Sequence, residues 1–459
     1  MKVIICGAGQ VGFNIARYLA AEGNDITVID TQPALIEKIS DTLDVQGIVG
    51  FASHPNVLDR AGARDADLLI AVTYSDEVNI VACEVAHALF DIPTKIARIR
   101  QQDYLNPMWA DLFSRSNLPI DAVISPEIEV ARAILRRLEI PGAFDAISLS
   151  EGKVTLAGVR CGPECPIINT PLRHLAGLFP DLHLTVVGII RGDRKIVPDA
   201  DEQMAAGDEV YFVADTQHLR RVLAAFGHEE PEARRLIIVG GGNIGLFLAE
   251  FLEQQSTGAE VKLIEIDRKR AELVAQRLPR TVVINGDALD LEILTEANVK
   301  ATETIIAVSN DDEVNILASL LAKRFGCQRS VTLISKPTYS PLIGTLGIDA
   351  VVSPRGITVS TILQHVRRGR IRSVHSLSDG FGEIIEADAL ETSRLVGTPL
   401  RDARLPAGVI IGALIREGEV VIPRGDTIVN SNDRVILFAA AEVVKEVEKK
   451  LFSVRLEFF

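Results

Sequence analysis

The feature that most constrains this chain of 459 residues is that its sequence is written twice. Val3-Ile4-Ile5-Cys6-Gly7-Ala8-Gly9-Gln10-Val11-Gly12 returns as Leu236-Ile237-Ile238-Val239-Gly240-Gly241-Gly242-Asn243-Ile244-Gly245. Ser75-Asp76-Glu77-Val78-Asn79-Ile80 returns as Asp311-Asp312-Glu313-Val314-Asn315-Ile316, and Ile120-Asp121-Ala122-Val123-Ile124-Ser125-Pro126 as Ile348-Asp349-Ala350-Val351-Val352-Ser353-Pro354. Farther along, Gly188-Ile189-Ile190-Arg191 with Pro198 and Gly207-Asp208 corresponds to Gly412-Ala413-Leu414-Ile415-Arg416 with Pro423 and Asn432-Asp433. A fold that accepts this sequence must therefore be built from two similar halves. The length exceeds what one hydrophobic core serves, so each half is expected to hold more than one domain.

Within each half a larger domain precedes a smaller one. In the first half, short Val/Ile-rich runs (Lys2 to Cys6, Asp25 to Ile29, Ile48-Val49, Leu68 to Val72, Lys95 to Ile99) alternate with helical patterns, the first of these running from the glycine turn to about Glu22 with Val11, Ile15, Tyr18 and Leu19 on one face. Strands alternating with helices imply a parallel sheet covered on both faces. The smaller domain, with strands at Val154 to Val159, Leu184 to Ile190 and Glu209 to Val213 and one helix at about His218 to Phe226, reads as an α+β module. Charged helices at Glu127 to Leu138 and Arg355 to Arg368 read as linkers, and the Pro231-Glu232 neighbourhood as the seam between halves. The expected division is 1–124, a linker helix at 125–144, 145–228, then 232–353, a linker helix at 354–371, and 372–456.

The glycine turns carry the chemistry. In G-x-G-x-x-G between strand and helix, Gly7 permits the tight bend, Gly9 lets a pyrophosphate approach the backbone, and Gly12 lets helix and strand pack closely. The helix N-terminus then offers unpaired N–H groups and the positive end of its dipole to phosphates. The turn follows a strand, opens a helix and meets Asp30 at the end of the next strand, 23 residues after Gly7, where a carboxylate grips ribose hydroxyls. This is the Rossmann pattern of a doubly wound α/β fold. No arginine follows Asp30 in Thr31-Gln32-Pro33, which favours NAD(H) over NADP(H). The second half repeats the pattern with Glu265, 25 residues after Gly240. It adds Gly286-Asp287-Ala288, where the first half has Gly50-Phe51-Ala52-Ser53, so the two sites are not equivalent. Expected contacts are Gly7, Gly9, Gln10, Val11, Gly12, Asp30, Ala52, Thr73 and Arg98 in the first site and Gly240, Gly242, Asn243, Ile244, Gly245, Glu265, Asp287 and Ala288 in the second. Arg98 and Arg100 read equally as phosphate contacts or as surface charges at a strand end.

Composition excludes several other functions. The net charge of −14 disfavours nucleic acid as a partner. No run approaches the roughly 20 apolar residues of a membrane-spanning helix, and Val3-Ile4-Ile5 begins a core strand rather than a signal peptide. Five scattered cysteines suit a reducing compartment, and Cys161-Gly162-Pro163-Glu164-Cys165 reads as a turn rather than half of a metal site. The small domains offer no acid–base constellation of the kind a dehydrogenase sets beside its cofactor. His174, His183 and His218 stand isolated and read as surface or core residues. An NAD-dependent oxidoreductase is accordingly the alternative reading, and a non-catalytic nucleotide sensor the preferred one.

The paired glycine turns, acid-ended strands, Asp-Glu-Val-Asn-Ile and Ile-Asp-Ala-Val-x-Ser-Pro runs and Gly-Ile-Ile-Arg modules together resemble the tandem RCK arrangement, a KTN fold followed by a TrkA-C module in each half, of bacterial Trk-type potassium-uptake regulators. The resemblance covers essentially the whole chain, and Gly50-Phe51-Ala52-Ser53-His54-Pro55 looks like that family's form of the loop. It implies a cytoplasmic protein, peripheral on the inner membrane, assembled as a homo-oligomeric ring (a tetramer), binding NAD(H) and ATP or ADP, and gating a potassium channel or transporter subunit in the membrane. A regulator of another ion carrier is the variant of that implication. Arg136, Arg137, Arg367, Arg368 and Arg370, on or near the linkers, are candidates for contact with that partner, and the Arg367-Arg368-Gly369-Arg370-Ile371-Arg372 cluster reads alternatively as a solvated linker face.

Overall fold

The computed structural model describes residues 1–21, 23–114, 116–179, 182–255, 258–339, 342, 346–366, 371–377, 380–393, 395–444 and 446–447. The chain divides into two compact units, one built from Met1–Glu129 with the helix Pro354–Val366, the other from Val130–Ser353 with the rest of the C-terminal half.

The first unit is a parallel sheet of β1 (Lys2–Cys6), β2 (Asp25–Asp30), β3 (Gln46–Val49), β4 (Leu68–Ala71), β5 (Thr94–Arg98) and β6 (Ala122–Ile124), in the order β3-β2-β1-β4-β5-β6. β1 and β4 are buried almost throughout because helices cover both faces, which is why they read as continuous apolar runs. The order reverses between β1 and β4, and such a switch point opens a crevice at the carboxyl ends of the strands. The first helix is described over Gln10–Ala21, and Glu22, its expected end, lies outside the described residues. The helix Pro354–Val366 differs from the expected linker. It packs on the first helix and on β6, with Ile362 fully buried in one core with Ile5, Ala8 and Ile15. Of the arginines predicted at its end, Arg367, Arg368 and Arg370 lie outside the described residues, while Arg372 pairs with Asp388 at 2.8 Å.

In the second unit, β7 (Ala143–Leu149), β8 (Val154–Arg160), β9 (Leu184–Arg191), β10 (Arg194–Ile196) and β11 (Glu209–Asp215) form an antiparallel sheet in the order β10-β9-β11-β8-β7. The second parallel sheet consists of β12 (Arg235–Val239), β13 (Glu260–Glu265), β14 (Val282–Asn285), β15 (Thr304–Ala307), β16 (Arg329–Leu333) and β17 (Ala350–Val352), in the order β14-β13-β12-β15-β16-β17. β18 (Ile371–Ser376), β19 (Gly382–Asp388), β20 (Val409–Arg416), β21 (Glu419–Val421) and β22 (Arg434–Ala440) repeat the antiparallel sheet as β18-β19-β22-β20-β21. The duplication is thus one of topology, strand for strand. The fold is the expected one, two Rossmann-like parallel sheets each followed by a small α+β module.

The helix Pro126–Glu139 also departs from the expected linker. Val130, Ala131, Ala133 and Ile134 are buried, and Gln255 donates to Glu139 at 3.0 Å. Arg137 is no surface contact for a partner either. Its buried guanidinium donates to Ala133 O at 3.1 Å and Phe144 O at 3.2 Å and pairs with Asp145. Nor are all the histidines isolated, since the His183 and His218 rings stack at 4.3 Å and His218 Nδ1 lies 3.2 Å from Asp215. All five cysteines are buried and free, and no cluster of three His, Cys, Asp or Glu fit for a metal exists among the described residues.

The arginine that ends each Gly-Ile-Ile-Arg or Gly-Ala-Leu-Ile-Arg run and the aspartate of the Gly/Asn-Asp pair are structural. Arg191 reaches Asp208 with Nε at 2.9 Å and Nη2 at 2.8 Å, and Arg416 reaches Asp433 at 3.0 and 2.7 Å, a two-pronged bond that closes each small sheet. The two small sheets pack face to face through Leu156, Tyr211, Phe381 and Phe438. Gly188 allows this, because a Cβ there would stand 2.4 Å from Phe381 Cε1. Gly188→Ala is therefore expected to destabilise the protein by about 1–3 kcal/mol through overpacking. Gly177→Ala, which meets open space, is the control. Equal urea midpoints for both variants would contradict the contact.

Candidate functional site

Each parallel sheet ends in a glycine turn with the same construction. Gly7 has φ +112° and Gly240 φ +102°, values that a side chain rarely tolerates, and the turn is anchored by Gly7 N–H on Ile29 O (2.7 Å) and Gly240 N–H on Ile264 O (2.9 Å). A Cβ on Gly12 would stand 1.8 Å from Gly7 O, and one on Gly245 2.0 Å from Gly240 O. At Gly9 and Gly242 a Cβ would meet nothing within 4 Å, so the middle glycines face open space. Phe13 N–H bonds Gly9 O (2.8 Å) and Leu246 N–H bonds Gly242 O (2.9 Å). The amides of Gln10, Val11 and Gly12, and of Asn243, Ile244 and Gly245, precede that first helical bond and point out of the helix end. A cradle of amides beside an empty approach fits a phosphate.

Asp30 and Glu265 end β2 and β13 beside these turns. Asp30 accepts from Ala8 N–H (2.7 Å) and Gln32 N–H (2.9 Å), and Glu265 from Gly241 N–H (2.6 Å) and Asp267 N–H (2.9 Å). Both carboxylates are thus oriented by backbone, one amide on each oxygen, and a carboxylate oxygen has a second lone pair to offer. Ala52 and Ala288 are buried after β3 and β14, whereas Phe51 is half exposed and packs against His54, and Asp287 is exposed and accepts from Leu289 N–H. The two turns thus carry different side chains at this point.

Thr73 and Arg98 lie on the other side of the switch point. Thr73 gives its N–H (2.9 Å) and hydroxyl (2.7 Å) to Asn79 Oδ1. Arg98 sits against Glu127 (3.5 Å), which also takes Arg100 Nε (3.2 Å), and burial lowers the Arg98 pKa from its usual range. Arg100 also stacks on the exposed Tyr74 ring, 4.9 Å from its centre.

The repeated Asp-Glu-Val-Asn-Ile run proves to be scaffold for this crevice. Ser75 and Asp311 cap their helices on Val78 and Val314 N–H. Asp76 accepts from Arg100 and Gln101 N–H, and Asp312 from Ser335 and Lys336 N–H. Asn79 and Asn315, fully buried, tie the loop after one strand to the end of the next. Asn79 donates to Arg98 O (2.9 Å), and Asn315 to Leu333 O (3.0 Å) while accepting from Ser309 N–H (2.8 Å). Glu313, exposed, is held near pKa 2 by Lys336 and Tyr339.

Two arginines that the sequence pattern does not single out stand at the turns. Arg270 donates from Nε to Gly241 O (2.6 Å) and from Nη2 to Asn243 Oδ1 (3.3 Å). Arg355 Nη2 donates to Gln10 Oε1 (3.0 Å). The available signal was the paired position of Gln10 and Asn243.

Residues 3–126 and 236–354 match the TrkA-N domain model, and residues 156–227 and 384–451 the TrkA-C domain model. The chain belongs to the TrkA family. It is 55% identical over 459 residues to the Trk system potassium uptake protein TrkA of Azorhizobium caulinodans, each chain covered in full, and 43% identical to that of Halomonas elongata, also covered in full. TrkA-like architecture extends to solved structures. The GsuK RCK domain superposes with a TM-score of 0.61 at 20% identity (97% of this chain, 93% of that one), and the GsuK channel bound to NAD with 0.60 at 18% (98% and 78%). Among the described residues of this TrkA-family chain, no helix is long and apolar enough to cross a membrane.

If the buried amide is the staple of the crevice, Asn315→Ala costs about 1–3 kcal/mol, because Ser309 N–H and Leu333 O lose their partner in the interior. Urea unfolding checks this, and a stability within experimental error of the parent would show the amide to be dispensable.

Proposed function

We propose that this chain is the cytoplasmic, nucleotide-binding regulatory subunit of a Trk-type potassium uptake system, controlling a membrane subunit in response to NAD(H) and to ATP or ADP without consuming them. The observation that carries the reading is the repeated glycine cradle with its oriented acid, in a chain whose full-length relatives bear the name of potassium uptake proteins. The NAD bound to the GsuK channel, whose fold this chain shares, supports the ligand class.

In this proposal the amides at Gln10, Val11 and Gly12, and at Asn243, Ile244 and Gly245, take the pyrophosphate. Asp30 and Glu265 take ribose hydroxyls, and Ala52, Asp287 and Ala288 flank the far end of the ligand. Thr73 and Arg98 border its other end in the first site. A ligand shifts the protein between states only by its difference in affinity for them, so control of the membrane partner requires a nucleotide that binds one arrangement better. Two further assignments belong to the proposal. The chain works as a ring of identical subunits, a tetramer, peripheral on the inner membrane, and its domains divide at residues 1–124, 145–228, 232–353 and 372–456, with the intervening helices between them.

Calorimetry of the full-length protein with NADH and with ADP tests the reading. Binding is expected with constant NADH absorbance over time. Asp30→Ala should weaken one class of site by about 1–3 kcal/mol, a charge-assisted hydrogen-bond pair to the ribose, and Glu265→Ala the other. Absence of nucleotide binding, or steady oxidation of NADH, would overturn it.

A further inference from the structure

The helix Pro354–Val366 follows the second parallel sheet in sequence yet belongs to the core of the first, with Ile362 buried and Val359 packed beside it. At its N-terminal end Arg355, half-buried, places Nη2 3.0 Å from Oε1 of Gln10, the first residue of the nucleotide helix. A residue 345 positions away is thus brought to the glycine turn.

The second fold reaches the same arrangement by another route. Asn243, which corresponds to Gln10, receives Nη2 of Arg270 at 3.3 Å, and Arg270 Nε also holds Gly241 O at 2.6 Å. Arg270 comes from that fold's own second helix, Arg268–Arg277, five residues after Glu265. The residue five after Asp30 is Leu35, which packs on the apolar core. One half lacks an arginine where the other has it and receives one from a different element. Both deliver a guanidinium to the amide side chain that opens the nucleotide helix.

We propose that Arg355 is a ligand-contacting residue of the first nucleotide site, binding a phosphate group of the nucleotide, and that Arg270 does the same in the second. The proposal rests on the nucleotide-binding reading above. A guanidinium is a planar fork that matches phosphate oxygens two at a time, and it adds charge to a cradle otherwise made of neutral amides. The two sites then differ in what they report. Phosphate at the second site engages a residue of its own fold. Phosphate at the first engages the helix that joins the second parallel sheet to the second small sheet, so occupancy there bears on the placement of that helix.

Calorimetry of the full-length protein with ADP and with adenosine separates a phosphate contact from a structural tether. Arg355→Gln should weaken ADP at one class of site about tenfold or more, the value of a charge-assisted bond, and leave adenosine unchanged. Arg355→Lys should fall between. Arg270→Gln should weaken ADP at the other class. Should Arg355→Gln fail to fold, Arg355→Met keeps the aliphatic stem and is read in the same way. Unchanged ADP affinity in Arg355→Gln, with Asp30→Ala still impaired, overturns the proposal and leaves the nucleotide reading intact. Equal losses for ADP and adenosine also overturn it, making Arg355 a tether of the helix. A parent protein that binds neither ligand removes the reading and the proposal together.

Discussion

The contact on which each parallel fold depends is the approach of the first helix to the end of the first strand, where Gly12 and Gly245 come so near the carbonyls of Gly7 and Gly240 that a Cβ would overlap them. That closeness sets the helix axis over the switch point. It turns the first amides of the helix toward the crevice and brings Asp30 and Glu265 within reach of the turn, where backbone N–H groups orient both carboxylates. A larger residue at either position would push the helix away and scatter all of these groups at once. The cradle and the packing of the fold are therefore one constraint rather than two.

Around this contact the repeated polar motifs work as fasteners. Asn79 and Asn315 bind neighbouring strand ends to each other, Asp76 and Asp312 hold the loop after the next strand, and the Arg191–Asp208 and Arg416–Asp433 pairs close the small sheets. Buried polar groups are costly unless satisfied, so a motif whose amide and carboxylate each have specified backbone partners fixes a unique arrangement of loops. The Glu127 carboxylate, shared by Arg98 and Arg100, fastens the start of one helix to the far side of the first crevice. Arg355 stands at the matching position in the second half with the opposite charge, and reaches the glycine turn of the first fold rather than the far side of its own crevice. The duplicated halves thus diverge at this aligned position, as they do at Leu35 and Arg270 and at Phe51 and Asp287, and each difference changes which side chains stand at a glycine turn or beside it.

Much of this was legible in the sequence. The glycine turns, the acids at the strand ends and most strands of the parallel sheets follow from local spacing, since a turn or a buried strand is specified by residues close together in the chain. β6 and β7 escaped because a three-residue strand and the mixed run Ala143–Leu149 carry weak periodicity. The helices Pro126–Glu139 and Pro354–Val366 read as charged linkers because their charges dominate the pattern, whereas burial of Ile134 and Ile362 is decided by distant surfaces. Arg355 and Arg270 escaped for the same reason. Nothing local to either arginine announces a glycine turn.

The most direct measurement of the central claim, that nucleotides held in the two glycine cradles govern potassium uptake, is the rate of potassium uptake at low external potassium in cells lacking this protein and supplied with either the parent chain or an Asp30→Ala, Glu265→Ala double variant present at equal amounts. The account predicts that the parent chain restores nucleotide-responsive uptake and that the double variant, folded and abundant, does not respond. Equal, equally responsive uptake with both would contradict it.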